Sequence, residues 1–349
     1  MAGLPTAAED QITTRHEIIR VSGLRPGDLV RVISPSLPSL AFARRSAADG
    51  VAELERLGLR CDFSANATDI SDDGRSAGSA EVRASDLHDA FVDPEVAGVL
   101  CAVGGLTSAE LLPLLDADLI RAHPKPLIGR SDNTYLNAFL LERAGITSFT
   151  GAAFVTQFAD PNTDPRTVES FVRVVLGGEP VRLKTSSPRT ENSVPSSWDG
   201  EVHSWDEPER AGLDAWLRQG SVTGRLVGGE IGIVADLLAA DLLTVHDRVL
   251  WLDVVAEGLD YFEEQLARLE PLVAGAGLRA LLIADNPSVP FDVWVDVVEK
   301  SLPRLAGEIA GPVLVGGDLG HYQPAWLLPY GDVVEIDSAS GITVNGLPS

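Results

Sequence analysis

The stretch KPLIGRSDNTYLNAFLLERAG, residues 125–145, contains three successive patterns. KPLIGR is a short apolar run typical of a buried strand, and SDN is a turn. TYLNAFLLERAG then has helical periodicity that ends at Gly145, a residue suited to terminating a helix. A strand, a turn and a helix in this order predict a parallel sheet whose strands are joined by helices.

The same alternation extends in both directions, from about residue 29 to residue 176. LVRVIS reads as a strand followed by a helix over about residues 40–57, and VAGVLCAV is a β-branched strand closed by Gly104 and Gly105. TSAELLPLL then restarts as a helix. Residues 1–176 are therefore predicted to form an α/β domain with a parallel sheet.

The periodicity fails over residues 177–221, which are polar and rich in turn residues. We interpret this stretch as a linker or a functional loop. Residues 222–349 return to an α/β pattern, with VLWLDVV, ALLIAD and PVLVGG as strands and FEEQLARLEPLV and WVDVVEKSLPRL as helices. A chain of 349 residues exceeds the usual size of a single core, which also favours two domains.

Composition narrows the function classes. With 27 Lys and Arg against 51 Asp and Glu, the net charge of −24 disfavours binding to nucleic acid or to anionic membranes through broad charge. Cys61 and Cys101 lack metal or redox spacing, and we expect both to be small buried residues. Without a leader-like start or a long apolar run, the chain is predicted to be cytoplasmic.

Ser131 is the first candidate for chemistry because it stands on the sharp turn between the predicted strand and helix. Nucleophile elbows place a serine in this context, although Gly129-Arg130-Ser131-Asp132 keeps only half of the G-x-S-x-G pattern. The amide after the serine would point at a developing oxyanion, and the helix dipole would favour it. Serine is also a preferred helix N-cap, so a purely structural role stays open.

Three other places fit the needs of such a serine. Gly104 and Gly105 end a neighbouring strand, where their backbone can approach a ligand, although a plain turn explains them equally well. His321 lies in the glycine-rich turn VGGDLGHYQP, a position suited to a functional histidine or to a structural one. Asp253, inside the apolar run LWLDVV, is costly to bury without a partner. It is the candidate acid of a Ser, Asp, His chain order.

Six ordered blocks of the chain resemble the LD-carboxypeptidase family of serine peptidases and, within it, the microcin C immunity branch. They are RPGDLVRVISPS, DLHDAFVDPEVAGVLCAVGGLTSAELL, PLIGRSDNTYLNAFLLERAG, GRLVGGEIGIVADLL, LWLDVVAEGLDYFEEQL and GDLGHYQPAWLLPYG. The resemblance covers nearly the whole chain. It implies an N-terminal Rossmann-like, flavodoxin-like parallel-sheet domain and a smaller C-terminal α/β domain.

The resemblance also implies roles. It implies Ser131 as nucleophile, His321 as general base and backbone amides near Gly105 and Asp132 as the oxyanion hole, with Gly104 beside the substrate. It further implies a homodimer and neither a metal nor an organic cofactor.

Several positions depart from the family pattern. Asp253 stands where the triad acid is glutamate, one methylene longer, and Glu257 is a weaker substitute. Arg130 replaces a common aromatic, Thr150 a common histidine, and Glu230 the asparagine of a GGN motif. We expect Arg130 and Glu230 to contribute to substrate binding, so these changes concern the substrate more than the reaction.

The stretch SSWDGEVHSWDEPERAGLDAW resembles the acidic, tryptophan-bearing loop of the microcin C immunity branch, in which a tryptophan stacks on a nucleobase. Trp205 is the first candidate for this role and Trp198 the second, although either could simply pack the loop. The predicted activity is hydrolysis of an amide bond in an aminoacyl or peptidyl nucleotide.

Other functions stay open. A murein tetrapeptide LD-carboxypeptidase is the enzymatic alternative, and a binding or sequestering protein with weakened catalysis is an alternative of another class. The segment GGEIG at residues 228–232 does not match the dinucleotide fingerprint GxGxxG, which disfavours an oxidoreductase.

Overall fold

The computed structural model describes residues 17–161, 163–183, 214–255, 258–286, 288–305, 309–321 and 324–347. Trp198, Trp205 and Glu257 lie outside the described residues. Within the described residues, no helix is long and apolar enough to cross a membrane.

The strands follow one another along the chain as β1 (Leu29–Ile33), β2 (Arg60–Phe63), β3 (Val96–Cys101), β4 (Leu127–Ile128), β5 (Ser148–Thr150), β6 (Val181–Leu183), β7 (Asp214–Arg218), β8 (Ser221–Glu230), β9 (Val249–Asp253), β10 (Ala280–Ile283), β11 (Val313–Gly316), β12 (Leu328–Tyr330), β13 (Val333–Asp337) and β14 (Gly341–Val344). The α-helices are α1 (Ser39–Phe42), α2 (Arg44–Arg56), α3 (Ala80–Val92), α4 (Ala117–Ala122), α5 (Thr134–Phe139), α6 (Pro165–Phe171), α7 (Ile231–Ala239), α8 (Leu259–Leu272) and α9 (Phe291–Ser301).

The first sheet has the order β12-β5-β4-β3-β1-β2. Its pairs from β2 through β5 are parallel, whereas β12 runs antiparallel to β5. Val30, Val99 and Leu127 are fully buried, as expected for parallel strands covered on both faces. The predicted N-terminal parallel sheet is therefore confirmed.

The second sheet has the order β6-β14-β13-β8-β9-β10-β11-β7. Its centre, β8 to β11, is parallel, and the flanking pairs are antiparallel. The predicted strands VLWLDVV, ALLIAD and PVLVGG form β9, β10 and β11. This confirms a second α/β unit, in which parallel strands present their carboxyl ends at one edge.

Several local predictions need correction. The helix expected over residues 40–57 is two helices, α1 and α2, because the backbone of Ala43 leaves the helical region with φ −95° and ψ 31°. TSAELLPLL forms a tighter 3₁₀ turn over Ser108–Leu114, which contains Pro113, a residue without the N–H that an α-helix requires.

The two cysteines differ in exposure. Cys101 is fully buried, as predicted, and burial raises the pKa of its thiol. Cys61 is only partly buried, contrary to the prediction, because it lies on the edge strand β2. Burial also raises the pKa of Cys61, to about 12, which leaves its thiol unreactive at neutral pH.

The two sheets are not built from two successive halves of the sequence. β12 comes from the C-terminal half of the chain but completes the edge of the first sheet beside β5. β6 and β7, which lie within the polar stretch 177–221, form the two edges of the second sheet. Both sheets therefore depend on segments distant in sequence.

Candidate active site

Ser131 lies directly after β4, at the carboxyl edge of the first sheet, and has a left-handed backbone with φ 59°. Few non-glycine residues adopt this conformation, and it persists only where surrounding structure enforces it. The turn is held by Asn133, whose side-chain amide donates to the carbonyls of Val103 at 3.2 Å and Arg130 at 3.0 Å. Strain at a partly exposed serine is typical of a nucleophile turn.

Helix capping does not account for this serine. An N-cap residue has extended backbone, and Arg130, not Ser131, occupies that position before the 3₁₀ turn Ser131–Asn133. α5 then begins at Thr134 and continues in a wider turn to Gly145, where φ is 66°. The predicted helix end at Gly145 is confirmed.

The glycine pair after β3 packs against the serine. A Cβ atom at Gly104 would lie 2.8 Å from the Cβ of Ser131 and 3.3 Å from the backbone nitrogen of Asp132. At Gly105, where φ is 152°, a Cβ would lie 2.2 Å from Oγ of Ser36. A side chain at Gly105 is opposed by both backbone conformation and space, a methyl group at Gly104 by space alone, and the loop backbone lies against the serine turn.

His321 and Asp253 are brought together from two strands of the second sheet. Asp253 ends β9 and His321 lies in the loop after β11, with Nδ1 of the histidine 2.5 Å from Oδ2 of the aspartate. The aspartate side chain is 5% exposed and the histidine side chain 19%. The aspartate thus reaches the histidine despite its short side chain.

The other polar side-chain atoms of His321 and Asp253 make no hydrogen bonds with the described residues. Among the described residues, buried Nε2 of His321 and Oδ1 of Asp253 have no hydrogen-bond partner. The close approach of Nδ1 to Oδ2 is not aligned as a regular hydrogen bond. In particular, Nε2 of His321 makes no hydrogen bond with Ser131 in the described structure. Long or misaligned catalytic hydrogen bonds are common in the absence of substrate.

Arg130 connects the serine turn to the histidine loop. Its side chain is buried, and Nη2 donates to the carbonyl of Gly320, beside His321, at 3.4 Å. Burial lowers the pKa of the Arg130 guanidinium, while the charge of Asp253 acts in the opposite direction. An arginine stays charged even so, and here it faces the buried acid.

Glu230 ends β8 in register with Asp253 on β9. Its carboxylate accepts from the N–H of Ile233 at 2.9 Å, which caps α7, and from the hydroxyl of Tyr261 at 2.7 Å. Burial raises the pKa of Glu230, partly opposed by these hydrogen bonds and reinforced by Asp253. Both oxygens are thus engaged within the protein. Thr150, at the end of β5, is buried with its Oγ1 unpartnered among the described residues.

The sequence reasoning missed the contacts made by the Asp132 side chain. Asp132 was singled out for its backbone amide, but its buried carboxylate also accepts from the N–H groups of Thr107 at 3.0 Å and Ser108 at 2.9 Å. The position of Asp132 beside Ser131 and an apolar strand indicated that its carboxylate would be buried and would need hydrogen-bond donors. The sequence did not indicate which residues supply those donors.

A strained serine at a strand end, a glycine loop packed on it and a histidine–aspartate pair are the groups that a serine hydrolase of the acyl-transfer type uses. Within the described residues, no group of three or more His, Cys, Asp or Glu side chains could hold a metal ion.

Comparison with known proteins gives the family. The LD-carboxypeptidase N-terminal domain matches residues 30–151, and the LD-carboxypeptidase C-terminal domain matches residues 223–336. These matches cover more than half of the chain, which therefore belongs to the LD-carboxypeptidase family. The resemblance inferred from the six sequence blocks is confirmed.

Curated relatives span nearly the same length. A putative carboxypeptidase, YocD of Bacillus subtilis, is 28% identical over 92% of this chain and 96% of its own. The microcin C7 self-immunity protein MccF of Escherichia coli is 26% identical over 90% of this chain and 92% of its own. The murein tetrapeptide carboxypeptidase of Pseudomonas aeruginosa is 29% identical over 75% of this chain and 79% of its own.

Solved structures support the same fold. An MccF-like protein from Bacillus anthracis superposes with a TM-score of 0.82 at 24% identity, covering 94% of this chain and 99% of its own. MccF in complex with aspartyl sulfamoyl adenosine superposes with a TM-score of 0.82 at 23% identity, covering 95% of this chain and 100% of its own. The two-domain architecture predicted from sequence is thus confirmed.

Proposed function

We propose that this serine hydrolase cleaves an amide bond next to an aminoacyl group, in aminoacyl or peptidyl nucleotides of the microcin C type. The observation that carries the chemistry is the strained Ser131 turn, packed on Gly104 and accompanied by the His321–Asp253 contact at 2.5 Å. Acyl transfer needs a serine, a base and an acid that orients the base.

In the proposed mechanism, Oγ of Ser131 attacks the scissile carbonyl while His321 takes the hydroxyl proton. Backbone amides of Gly105 and Asp132 stabilise the oxyanion of the tetrahedral intermediate. The C–N bond then breaks, and His321 gives its proton to the leaving amine. Water, deprotonated by His321, hydrolyses the acyl-enzyme and releases Ser131. Asp253 keeps the imidazole oriented throughout.

The proposed substrate rests on similarity to relatives and on the polar, tryptophan-bearing stretch of the sequence. The relative MccF has been solved with aspartyl sulfamoyl adenosine, and its fold superposes on 95% of this chain. Trp205, or else Trp198, would stack on the base, and indole rings in an acidic stretch of sequence suit that task. Arg130 and Glu230 border the proposed catalytic groups, where they would influence which aminoacyl group is accepted.

Replacement of the serine tests the mechanism. Ser131→Ala should reduce hydrolysis of aspartyl sulfamoyl adenosine by about 10³-fold or more, because a triad without its nucleophile loses the covalent route. Product release is measured by chromatography, with circular dichroism to show that the variant folds. Hydrolysis by Ser131→Ala at the rate of the unchanged protein contradicts the mechanism.

A murein tetrapeptide LD-carboxypeptidase is the second candidate, favoured by the relative from Pseudomonas aeruginosa that carries that name. Removal of a terminal D-alanine uses the same acyl-transfer groups but offers no flat base for a tryptophan. Turnover of a murein tetrapeptide and of aspartyl sulfamoyl adenosine should be compared under one condition. A strong preference for the tetrapeptide decides for this candidate.

A sequestering protein without efficient catalysis is the candidate of another class. The 2.5 Å approach of Asp253 to His321 disfavours it, since the shorter acid still reaches the histidine. An alkyl fluorophosphonate reacts with activated serines, so labelling of Ser131 that disappears in His321→Ala argues against sequestration alone. An unlabelled protein that nevertheless binds the nucleotide argues for it.

We also propose that the protein acts in the cytoplasm as a homodimer. Support comes from the resemblance to the LD-carboxypeptidase family. Light scattering after gel filtration measures the mass, and a value near one chain of 37.0 kDa contradicts the dimer.

A further inference from the structure

The oxyanion hole proposed above draws its two donors from different segments of the first sheet. One is the turn after β4, which carries Ser131 and Asp132, and the other is the loop after β3, which carries Gly104 and Gly105. Since an oxyanion must lie about 3 Å from both donors, the relative position of the two segments determines how well it is stabilised.

On its far side, the glycine loop is fixed by the segment after β1 and by α3. Oγ of Ser36 accepts from the N–H groups of Leu106 and Thr107, both at 3.0 Å. The buried guanidinium of Arg83 donates to the carbonyls of Pro35 at 2.7 Å and Thr107 at 3.0 Å. These contacts order the loop but do not connect it to the serine turn.

The carboxylate of Asp132 makes that connection. Its Oδ2 accepts from the N–H groups of Thr107 and Ser108 at 3.0 and 2.9 Å, and the residue is only 2% exposed. Hydrogen bonds to a buried carboxylate are about twice as strong as neutral ones. The neutral contacts of Asn133 to Val103 at 3.2 Å and to Ser108 at 3.5 Å are longer.

We propose that the side chain of Asp132 is a positioning residue that holds the two halves of the oxyanion hole in register. This inference rests on the proposed roles of Ser131, Gly105 and the Asp132 amide. One residue then acts twice, with its amide as a donor and its carboxylate as the clamp that places the opposing donor.

Loss of the Asp132 carboxylate should destabilise the tetrahedral intermediate more than it weakens substrate binding. Removing an oxyanion donor outright costs about 10²–10³-fold in kcat, so a displaced donor should cost about 10- to 100-fold. Asp132→Asn keeps one side-chain oxygen that can accept from both amides and should lie within about 5-fold of the unchanged protein. Asp132→Ala keeps neither bond.

The experiment measures the rate constant for labelling of Ser131 by an alkyl fluorophosphonate, whose P–O group occupies the oxyanion hole during reaction. This probe does not require the natural substrate. Where aspartyl sulfamoyl adenosine is turned over, kcat and KM are measured as well, and kcat should fall while KM changes by less than about 3-fold. The inhibition constant of phenylboronic acid, which forms a tetrahedral adduct, should rise in parallel with the loss in kcat.

Asp86→Ala is the matched control. Asp86 is a buried carboxylate that accepts from Ser64 at 2.6 Å and Asn66 at 2.7 Å beside β2, three strands from β4. The Asp86→Ala variant should lose stability, measured by thermal unfolding, without a change in labelling rate per folded molecule.

Two results overturn the inference: labelling of Asp132→Ala at the unchanged rate, or Asp132→Asn being as slow as Asp132→Ala. Failure of the proposed mechanism looks different, because Ser131→Ala would then be labelled or would hydrolyse substrate like the unchanged protein. If only the proposed substrate is wrong, the comparison of fluorophosphonate labelling rates remains valid, because the probe does not depend on the natural substrate.

Discussion

At the scale of single residues, Asp253 carries the most informative geometry. An aspartate is one methylene shorter than the acid expected from the resemblance, yet its Oδ2 lies 2.5 Å from Nδ1 of His321. Because β9 and the loop after β11 bring the two side chains this close, a longer acid would have to change its side-chain geometry or displace His321. The short side chain and the close backbone are matched to each other.

Substitution of Asp253 tests that match. Asp253→Asn should reduce the fluorophosphonate labelling rate by about 10²–10⁴-fold, because an amide favours the wrong imidazole tautomer. Asp253→Glu should displace His321 and cost about 10-fold or more, since Oδ2 of the shorter acid already lies 2.5 Å from Nδ1. Labelling is followed by mass spectrometry, and equal rates for Asp253→Glu and the unchanged protein contradict the proposed fit.

At the scale of elements, the loop after β3 and the turn after β4 are in van der Waals contact. Gly104 is where this contact is tightest, since a Cβ there would come within 3.0 Å of Ser131. The backbone of Gly104 does not have a positive φ, so alanine is conformationally acceptable and only the steric contact opposes it. Substitution therefore probes the site rather than the fold.

Gly104→Ala should keep the protein folded but reduce kcat by about 10²-fold, because the new methyl group pushes the glycine loop away from the Ser131 turn and misplaces an oxyanion donor. Gly258→Ala is the control, since a Cβ at Gly258 would have no atom of the described residues within 4 Å. Thermal unfolding and the kinetics of both variants are compared. Full activity in Gly104→Ala shows that the loop does not contribute to the oxyanion hole.

The elements also show what could be predicted from sequence. Gly104, Ser131, Asp253 and His321 follow or end apolar runs, and the carboxyl ends of parallel strands meet at one edge. Local patterns therefore indicated them as candidates within each sheet, whereas the preference for catalytic roles over capping, turn or structural roles came from the family resemblance. The Asp132 carboxylate contacts residues 25 and 24 positions earlier in the chain, and these contacts depend on β3 lying beside β4. No local pattern contains that information.

At the scale of the whole molecule, the two sheets are joined by more than one covalent connection. β12 adds to the first sheet after the chain has formed most of the second, and Pro329 within it suits an edge position. The sequence pattern predicts two α/β regions and places all of residues 222–349 in the second one, although β12 belongs to the first sheet. An apolar run such as LLPY predicts a strand without indicating which sheet it joins.

Polar contacts reinforce this connection between the sheets. Glu142, after α5, forms an ion pair with Arg248 at 2.6 Å, and both side chains are largely buried. The hydroxyl of Tyr135 donates to Asp236 of α7 at 3.0 Å. A Cβ at Gly229 of β8 would lie 2.4 Å from the Thr134 side chain, so the two halves also pack without a gap. Separate unfolding of the halves would break all of these contacts.

The intact chain should therefore unfold in one transition, and a fragment of residues 1–176 should not form a stable domain, because it leaves the β5 edge without β12. Calorimetry of the intact chain should give a van't Hoff enthalpy close to the calorimetric one. The fragment should show no cooperative transition and weak dispersion of its amide proton resonances. Two resolved transitions, or a fragment with a well-dispersed spectrum, would instead show that the two halves fold independently and that the β12–β5 pair contributes little to their stability.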